Sequence, residues 1–132
     1  MDVLGPYAIE GVSESLAYEL GMFRGRVKIV QPGLAPSTSF AANSGGRCDN
    51  LIPAAYAEYA GRYLKSMQEY PTDYTSAEDV ADAVYVAATD GRDKLRYPAG
   101  ADSVMLAELR QSLPEQEFIA RMRTMFGGGP AK

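Results

Sequence analysis

Histidine is absent from this sequence, and Cys48 is its only cysteine. A zinc or iron centre would have to be built from carboxylates alone, and nucleophilic catalysis through a histidine base is excluded. No intramolecular disulfide can form. Cys48 has no activating neighbour beyond Arg47, so it reads as a bystander thiol. No apolar run approaches the roughly 20 residues that a membrane span requires. The charged start of a secretory signal is also missing, so a cytoplasmic protein is the expectation. Basic charge is scarce and scattered: 13 Lys and Arg stand against 17 Asp and Glu, a formal net charge of -4. Binding to nucleic acid, which counterion release at phosphates drives, is not expected from such a surface.

The 132 residues are 46% apolar and 23% charged, the balance of one soluble globular domain. Ile9, Val12, Leu16 and Leu20 recur at helical spacing, with Glu10, Glu14 and Glu19 largely off that stripe. This predicts an amphipathic helix over 7–23, with Pro6 at its first position and Gly25 breaking it. The β-branched run at 27–30, followed by Pro32 and Gly33, predicts a strand and a turn. An aperiodic stretch over 34–50 reads as a long loop of the kind that covers binding sites.

Tyr56, Tyr59, Tyr63, Leu64 and Met67 predict a second amphipathic helix over 53–70, its tyrosines forming one packed face. Ser76 suits a helix N-cap, with Glu78 and Asp79 in the first turn. Val80, Ala83, Val84 and Ala87 supply that helix's inner face, and Asp90-Gly91 closes it. Leu95, Arg96 and Tyr97 form a second strand candidate stopped by Pro98. Two more helices, over 101–113 and 115–126, flank Pro114. Glu115 and Glu117 give the second of them a solvated acidic start, and a flexible tail follows at 127–132. The class is α/β, in the order α-β-α-α-β-α-α. Two parallel strands leave both sheet edges unpaired and cannot bury five helices. Residues 1–126 therefore read as an incomplete domain, or as one that needs a partner.

Four segments together resemble the C-terminal half of the classical short-chain dehydrogenases/reductases. Tyr7-Ala8-Ile9-Glu10-Gly11 and the residues to Leu20 are similar to the helix after the family's catalytic tyrosine. Arg26-Val27-Lys28-Ile29-Val30-Gln31-Pro32-Gly33 is similar to its next strand and Pro-Gly motif. Ser76-Ala77-Glu78-Asp79-Val80-Ala81-Asp82-Ala83 resembles the late helix, and Leu95-Arg96-Tyr97-Pro98-Ala99-Gly100 the last strand and its exit.

The resemblance implies part of a doubly wound, Rossmann-like parallel sheet that binds NAD or NADP. The implied reaction is hydride transfer to or from a small carbonyl or alcohol substrate. It also implies a cofactor contact after the first strand: Pro32 and Gly33 turn the chain, Ala35 offers backbone groups to the nicotinamide amide, and Ser37 stands where the family has threonine. Without the family context, Pro-Gly after a strand is simply a turn. The segment 40–50 would belong to the substrate-covering region, and the 7–23 helix, with Tyr18 and Glu19, to a contact between subunits of a homo-oligomer.

Departures from the family pattern decide the expected activity. Its catalytic tyrosine and lysine, four residues apart, fall here on Asp2 and Pro6. Neither can lower a phenol's pKa or transfer the proton, so no catalytic residue is assigned. The Gly-rich turn that lets a pyrophosphate approach a helix N-terminus appears nowhere, and the glycines at 127–129 follow a helical pattern instead of preceding one. The expectation is a fragment of an oxidoreductase, inactive alone. Two alternatives stand beside it: a non-catalytic binding or dimerisation module, and one half of a complemented two-chain enzyme.

Overall fold

The computed structural model describes residues 4–36, 52–69 and 73–126. Its elements are helix α1 (Leu4–Gly21), strand β1 (Ile29–Pro32), a 3-10 turn (Ala54–Tyr56), helix α2 (Ala57–Gln68), helix α3 (Ala77–Thr89), strand β2 (Arg96–Ala99), helix α4 (Ala101–Ser112) and helix α5 (Glu115–Met125). The expected tail at 127–132 lies outside the described residues. The strands pair in parallel, with Ile29 opposite Arg96 and Pro32 opposite Ala99. This is an α/β arrangement with a small parallel sheet, compatible with a fragment of a Rossmann-like fold.

Several boundaries differ from the sequence reading. Helix α1 begins at Leu4, so Pro6 sits inside its first turn, where an N–H has no intrahelical acceptor in any case. The helix ends in a Schellman arrangement: Gly25 N–H donates to Leu20 C=O and Arg24 N–H to Gly21 C=O, at 2.9 and 3.1 Å. Arg24, not Gly25, takes the left-handed conformation, with φ 59°. Strand β1 runs two residues later than the β-branched run suggested.

Pro98 continues β2 instead of stopping it, for a geometric reason. Ile29 N–H donates to Leu95 C=O and Gly33 N–H to Ala99 C=O, so Tyr97 and Ala99 direct their backbone groups toward β1. Pro98 therefore turns its nitrogen to the outer edge, where no ladder bond is lost. By the same alternation Pro32 faces the outer edge of β1.

Helices lie on both faces of the sheet. Residues in register share a face, so Ile29, Gln31, Arg96 and Pro98 look one way and Val30, Pro32, Tyr97 and Ala99 the other. Helix α1 covers the first face through polar contacts. Glu10 accepts from Gln31 Nε2 at 2.6 Å and from Arg96 Nε at 3.3 Å, and Glu14 accepts from Arg96 at 2.6 Å. Helix α3 packs across both strands, and its Ala87 is buried, as are Tyr97 and Ala99. Val84, expected on the same inner face, is half exposed.

Helix α3 is also the best-terminated helix. Ser76 Oγ accepts from Asp79 N–H at 3.1 Å while the Asp79 carboxylate accepts from Ser76 N–H at 2.8 Å, a reciprocal capping box. Asp90 caps the other end, and Gly91 leaves it at φ 67°.

The expected apolar stripe of α1 does not face the sheet. Ile9 is 67% exposed and Val12 61%, and Leu16 and Leu20 are exposed as well, because Glu10 and Glu14 occupy the inward side. The tyrosine row on α2 is only partly packed: Tyr59 stacks on Tyr63 at 6.3 Å and Tyr63 meets Phe126 at 6.3 Å, while Tyr56 stays exposed.

Two predictions follow from these contacts. Ser76→Ala should cost about 1 kcal/mol, read as a lower urea midpoint at unchanged m-value. The Asp79 carboxyl lies below its ordinary range because the Ser76 hydroxyl and backbone N–H donate to it. A depressed folded value means that the cap contributes above the unfolded pKa and is lost as pH falls through the folded one. The difference between wild type and Ser76→Ala should therefore shrink on acidification.

Arg96 likewise holds Glu14 below the usual carboxylate range. Either acid that protonates Glu14 or about 1 M salt, where the Debye length is near 3 Å, should loosen α1 from the sheet. Amide hydrogen exchange in α1 should then rise before exchange in α3.

Candidate functional site

In open α/β sheets ligands bind outside the carboxyl ends of the strands, which directs attention to the turn leaving β1. Pro32 is exposed there, and Gly33, Leu34 and Ala35 are half-buried. Ser37 lies outside the described residues, as do Asp2, Cys48 and the 40–50 segment. Pro6 is described only as part of the α1 backbone. Of the four residues expected to meet a cofactor, Pro32, Gly33 and Ala35 are thus brought to one turn at the carboxyl end of β1.

That turn is tied down on three sides. Gly33 N–H donates to Ala99 C=O at 3.2 Å, and Thr75 N–H donates to Leu34 C=O at 2.9 Å. Leu34 N–H donates to the Asp102 carboxylate at 2.5 Å. Asp102 is fully buried, and Thr75 is 1% exposed. The Thr75 hydroxyl donates to Asp102 Oδ1 at 2.6 Å, and Ser103 N–H donates to the same oxygen at 2.9 Å. The Ser103 hydroxyl donates to Gln31 C=O at 2.7 Å, a further link between α4 and β1. Both carboxylate oxygens therefore have donors, as a buried carboxyl group requires.

This arrangement explains two glycines. Gly33 was expected to provide a sharp turn, but its backbone is not in the left-handed region. Its role is steric: a Cβ there would overlap the Asp102 carboxylate. Gly100, which caps α4, has φ 87°, and a Cβ on it would strike the Thr75 side chain.

A second polar cluster occupies the opposite end of the sheet. Lys28 Nζ donates to Tyr97 Oη at 2.8 Å and to Arg92 C=O, and Tyr97 Oη donates to Asp90 at 2.8 Å. The Asp90 carboxyl is held below its ordinary range chiefly by the Arg92 backbone N–H, with Tyr97 and Lys28 adding to it. A tyrosine beside a lysine has the ingredients of proton transfer. Tyr97 is 4% exposed, however, and Lys28 precedes β1, so the pair lies at the strands' amino end. It joins the 90–94 loop to the approach into β1, and Arg26 adds to the same seam by donating to Gly91 C=O at 2.6 Å.

Sequence reasoning missed Asp102 and Thr75. Asp102 has the appearance of an ordinary acid in the first turn of a helix. Its partners Thr75 and Leu34 stand 27 and 68 residues away, beyond the reach of any local spacing rule. The one local signal was Gly100-Ala101-Asp102, a glycine exit from a strand into a helix carrying an early acid.

Among the described residues no group of three or more acidic, cysteine or histidine side chains gathers into a possible metal site. No described helix is long and apolar enough to cross a membrane. No protein-family model matches the chain, and no solved structure matches it. Curated proteins do. Two from Schizosaccharomyces pombe, each named an uncharacterized oxidoreductase, are 33% identical over 124 residues, which is 92% of this chain and 50% of each relative. The uncharacterized oxidoreductase YusZ of Bacillus subtilis is 29% identical over 116 residues, or 85% of this chain and 41% of that protein. By sequence, then, the chain is similar to part of an oxidoreductase, and it spans about half the length of the curated relatives it matches.

Proposed function

We propose that the chain is the C-terminal part of an NAD(P)-dependent oxidoreductase of the short-chain dehydrogenase/reductase family, acting on a small carbonyl or alcohol substrate in the cytoplasm. In this reading the sheet is part of a doubly wound, Rossmann-like fold. The turn at Pro32, Gly33 and Ala35, with Ser37 following in the sequence, is the nicotinamide end of the cofactor site. The observation that carries the proposal is the fixed turn at the carboxyl end of a parallel strand. Fixing it before the ligand arrives lowers the ordering cost of binding. The similarity to proteins named oxidoreductases supports the same reading.

The chain alone is inactive on this proposal, because Asp2 and Pro6 stand at the tyrosine and lysine positions and no Gly-rich phosphate turn is present. Hydride transfer would need the proton donor and the phosphate cradle to come from other polypeptide.

A second reading, a binding or dimerisation module built on α1, is favoured by one specific observation. Ile9, Val12, Leu16 and Leu20 form an exposed apolar stripe, with Tyr18, Met22 and Phe23 exposed beyond it. Full burial of one such aliphatic side chain contributes about 1.5–3 kcal/mol, so this face is suited to a homo-oligomer contact.

The test is titration of the purified chain with NADH and with NADPH, followed by nicotinamide fluorescence and by calorimetry. No saturable binding is expected below millimolar cofactor. Micromolar binding would overturn the assignment of an incomplete, inactive part. In the same preparation, sedimentation should detect dimers that Leu16→Glu abolishes if α1 is the subunit contact.

A further inference from the structure

We propose that Asp102 is a positioning residue, which fixes the backbone of the turn after β1 in the shape that would meet the nicotinamide carboxamide. Its functional meaning rests on the cofactor reading above, whereas its mechanical role stands on the geometry alone.

Three features separate this carboxylate from an ordinary first-turn acid. Glu115 and Glu117 in the first turn of α5 and Glu78 in that of α3 are exposed, as such acids normally are, whereas Asp102 is fully buried. Its oxygens also divide their work. Oδ1 accepts from the Ser103 N–H of its own helix and from the Thr75 hydroxyl, while Oδ2 accepts from Leu34 N–H across the sheet end. A helix-capping acid has no need of that second bond. Finally, the chain at Gly33 has no room for a side chain because the carboxylate lies against it. The turn is thus held by contact as well as by hydrogen bonding.

Leu34 is the residue through which the effect passes. Its N–H is held by Asp102 and its C=O by Thr75 N–H. Both backbone groups of the residue before Ala35 are therefore anchored, and the direction in which the chain continues toward Ala35 and Pro36 follows from that anchorage. Thr75 contributes twice, through its N–H to the turn and through its hydroxyl to Asp102. It is the second half of the same clamp.

The test is amide hydrogen exchange, resolved by residue, on the chain and on Asp102→Asn. An asparagine keeps the size and one acceptor but presents an NH2 group to one of the two sides. Exchange at Leu34 should rise by about tenfold or more, as expected for loss of one charge-assisted hydrogen bond. Exchange at Ile29, whose N–H donates to Leu95 C=O, and within α3 should stay as in wild type. Thr75→Val should raise Leu34 exchange in the same direction, and Thr75→Ser, which keeps the hydroxyl, should leave it near the wild-type rate.

An unchanged Leu34 amide, or a rise confined to Ser103 and its helix, would overturn the proposal and leave Asp102 as a helix-end acid. A uniform rise across all elements in both Asp102→Asn and Thr75→Val would also overturn it, because the network would then stabilise the whole domain without fixing the turn. The cofactor reading is scored separately, by whether high-millimolar NADH shifts the Leu34 and Ala35 amide resonances of the wild-type chain. Their failure to move would count against that reading, while the exchange rates alone would still decide the role of Asp102.

Discussion

A carboxyl group at the centre of the described structure, reached by no water and surrounded by donors from three different segments, is the contact on which the other parts converge. Asp102 lies at the point where β1 ends, where the segment before α3 passes, and where α4 begins. Burying a polar group without partners is costly, so its donors are under a strict geometric demand. Thr75, Leu34 and Ser103 must all arrive together. The demand then spreads: Gly33 must lack a side chain, and Gly100 must take a conformation that only glycine adopts easily. The buried centre is consequently at least as polar as it is apolar, since Ala87, Tyr97 and Ala99 are the buried hydrophobic residues among those described.

The apolar surface that would normally do this work is turned outward. Helix α1 uses Glu10 and Glu14 to grip Arg96 and Gln31 and presents its aliphatic stripe to solvent. Ion pairs of this exposure contribute little to stability, so α1 is attached more by position than by energy. The same chain that fixes one turn with a dense polar network leaves one of its longest helices with almost no hydrophobic anchor. That contrast fits a polypeptide that makes up half the length of its relatives.

Much of the local structure was legible in the sequence because it rests on local chemistry. Ser76 with Asp79 three residues on is a cap in sequence and a cap in space, and Asp90-Gly91 ends α3 as its composition suggests. Pro114 separates α4 from α5 at the expected place. What misled was directional. The spacing of Ile9, Val12, Leu16 and Leu20 gives the helix but not which side meets the sheet, and Arg96, 86 residues from Glu10, decides that. Pro98 looked like a strand terminator because its missing N–H matters only if it points at a neighbour. At the site, the turn was readable from Pro32-Gly33, but its clamp was not, since each of its bonds to Leu34 and Thr75 spans a long stretch of chain.

The two prolines of the sheet deserve to be considered as a pair. Pro32 and Pro98 both turn their nitrogens away from the partner strand, one at each outer edge, and both lie toward the carboxyl end. Val30 and Arg96, nearer the amino end, still offer outward N–H groups. An added strand could therefore begin to pair with either edge but could not continue alongside it as far as the turn. At the end that carries Gly33 and Leu34 the sheet thus resists being zipped shut by an added strand.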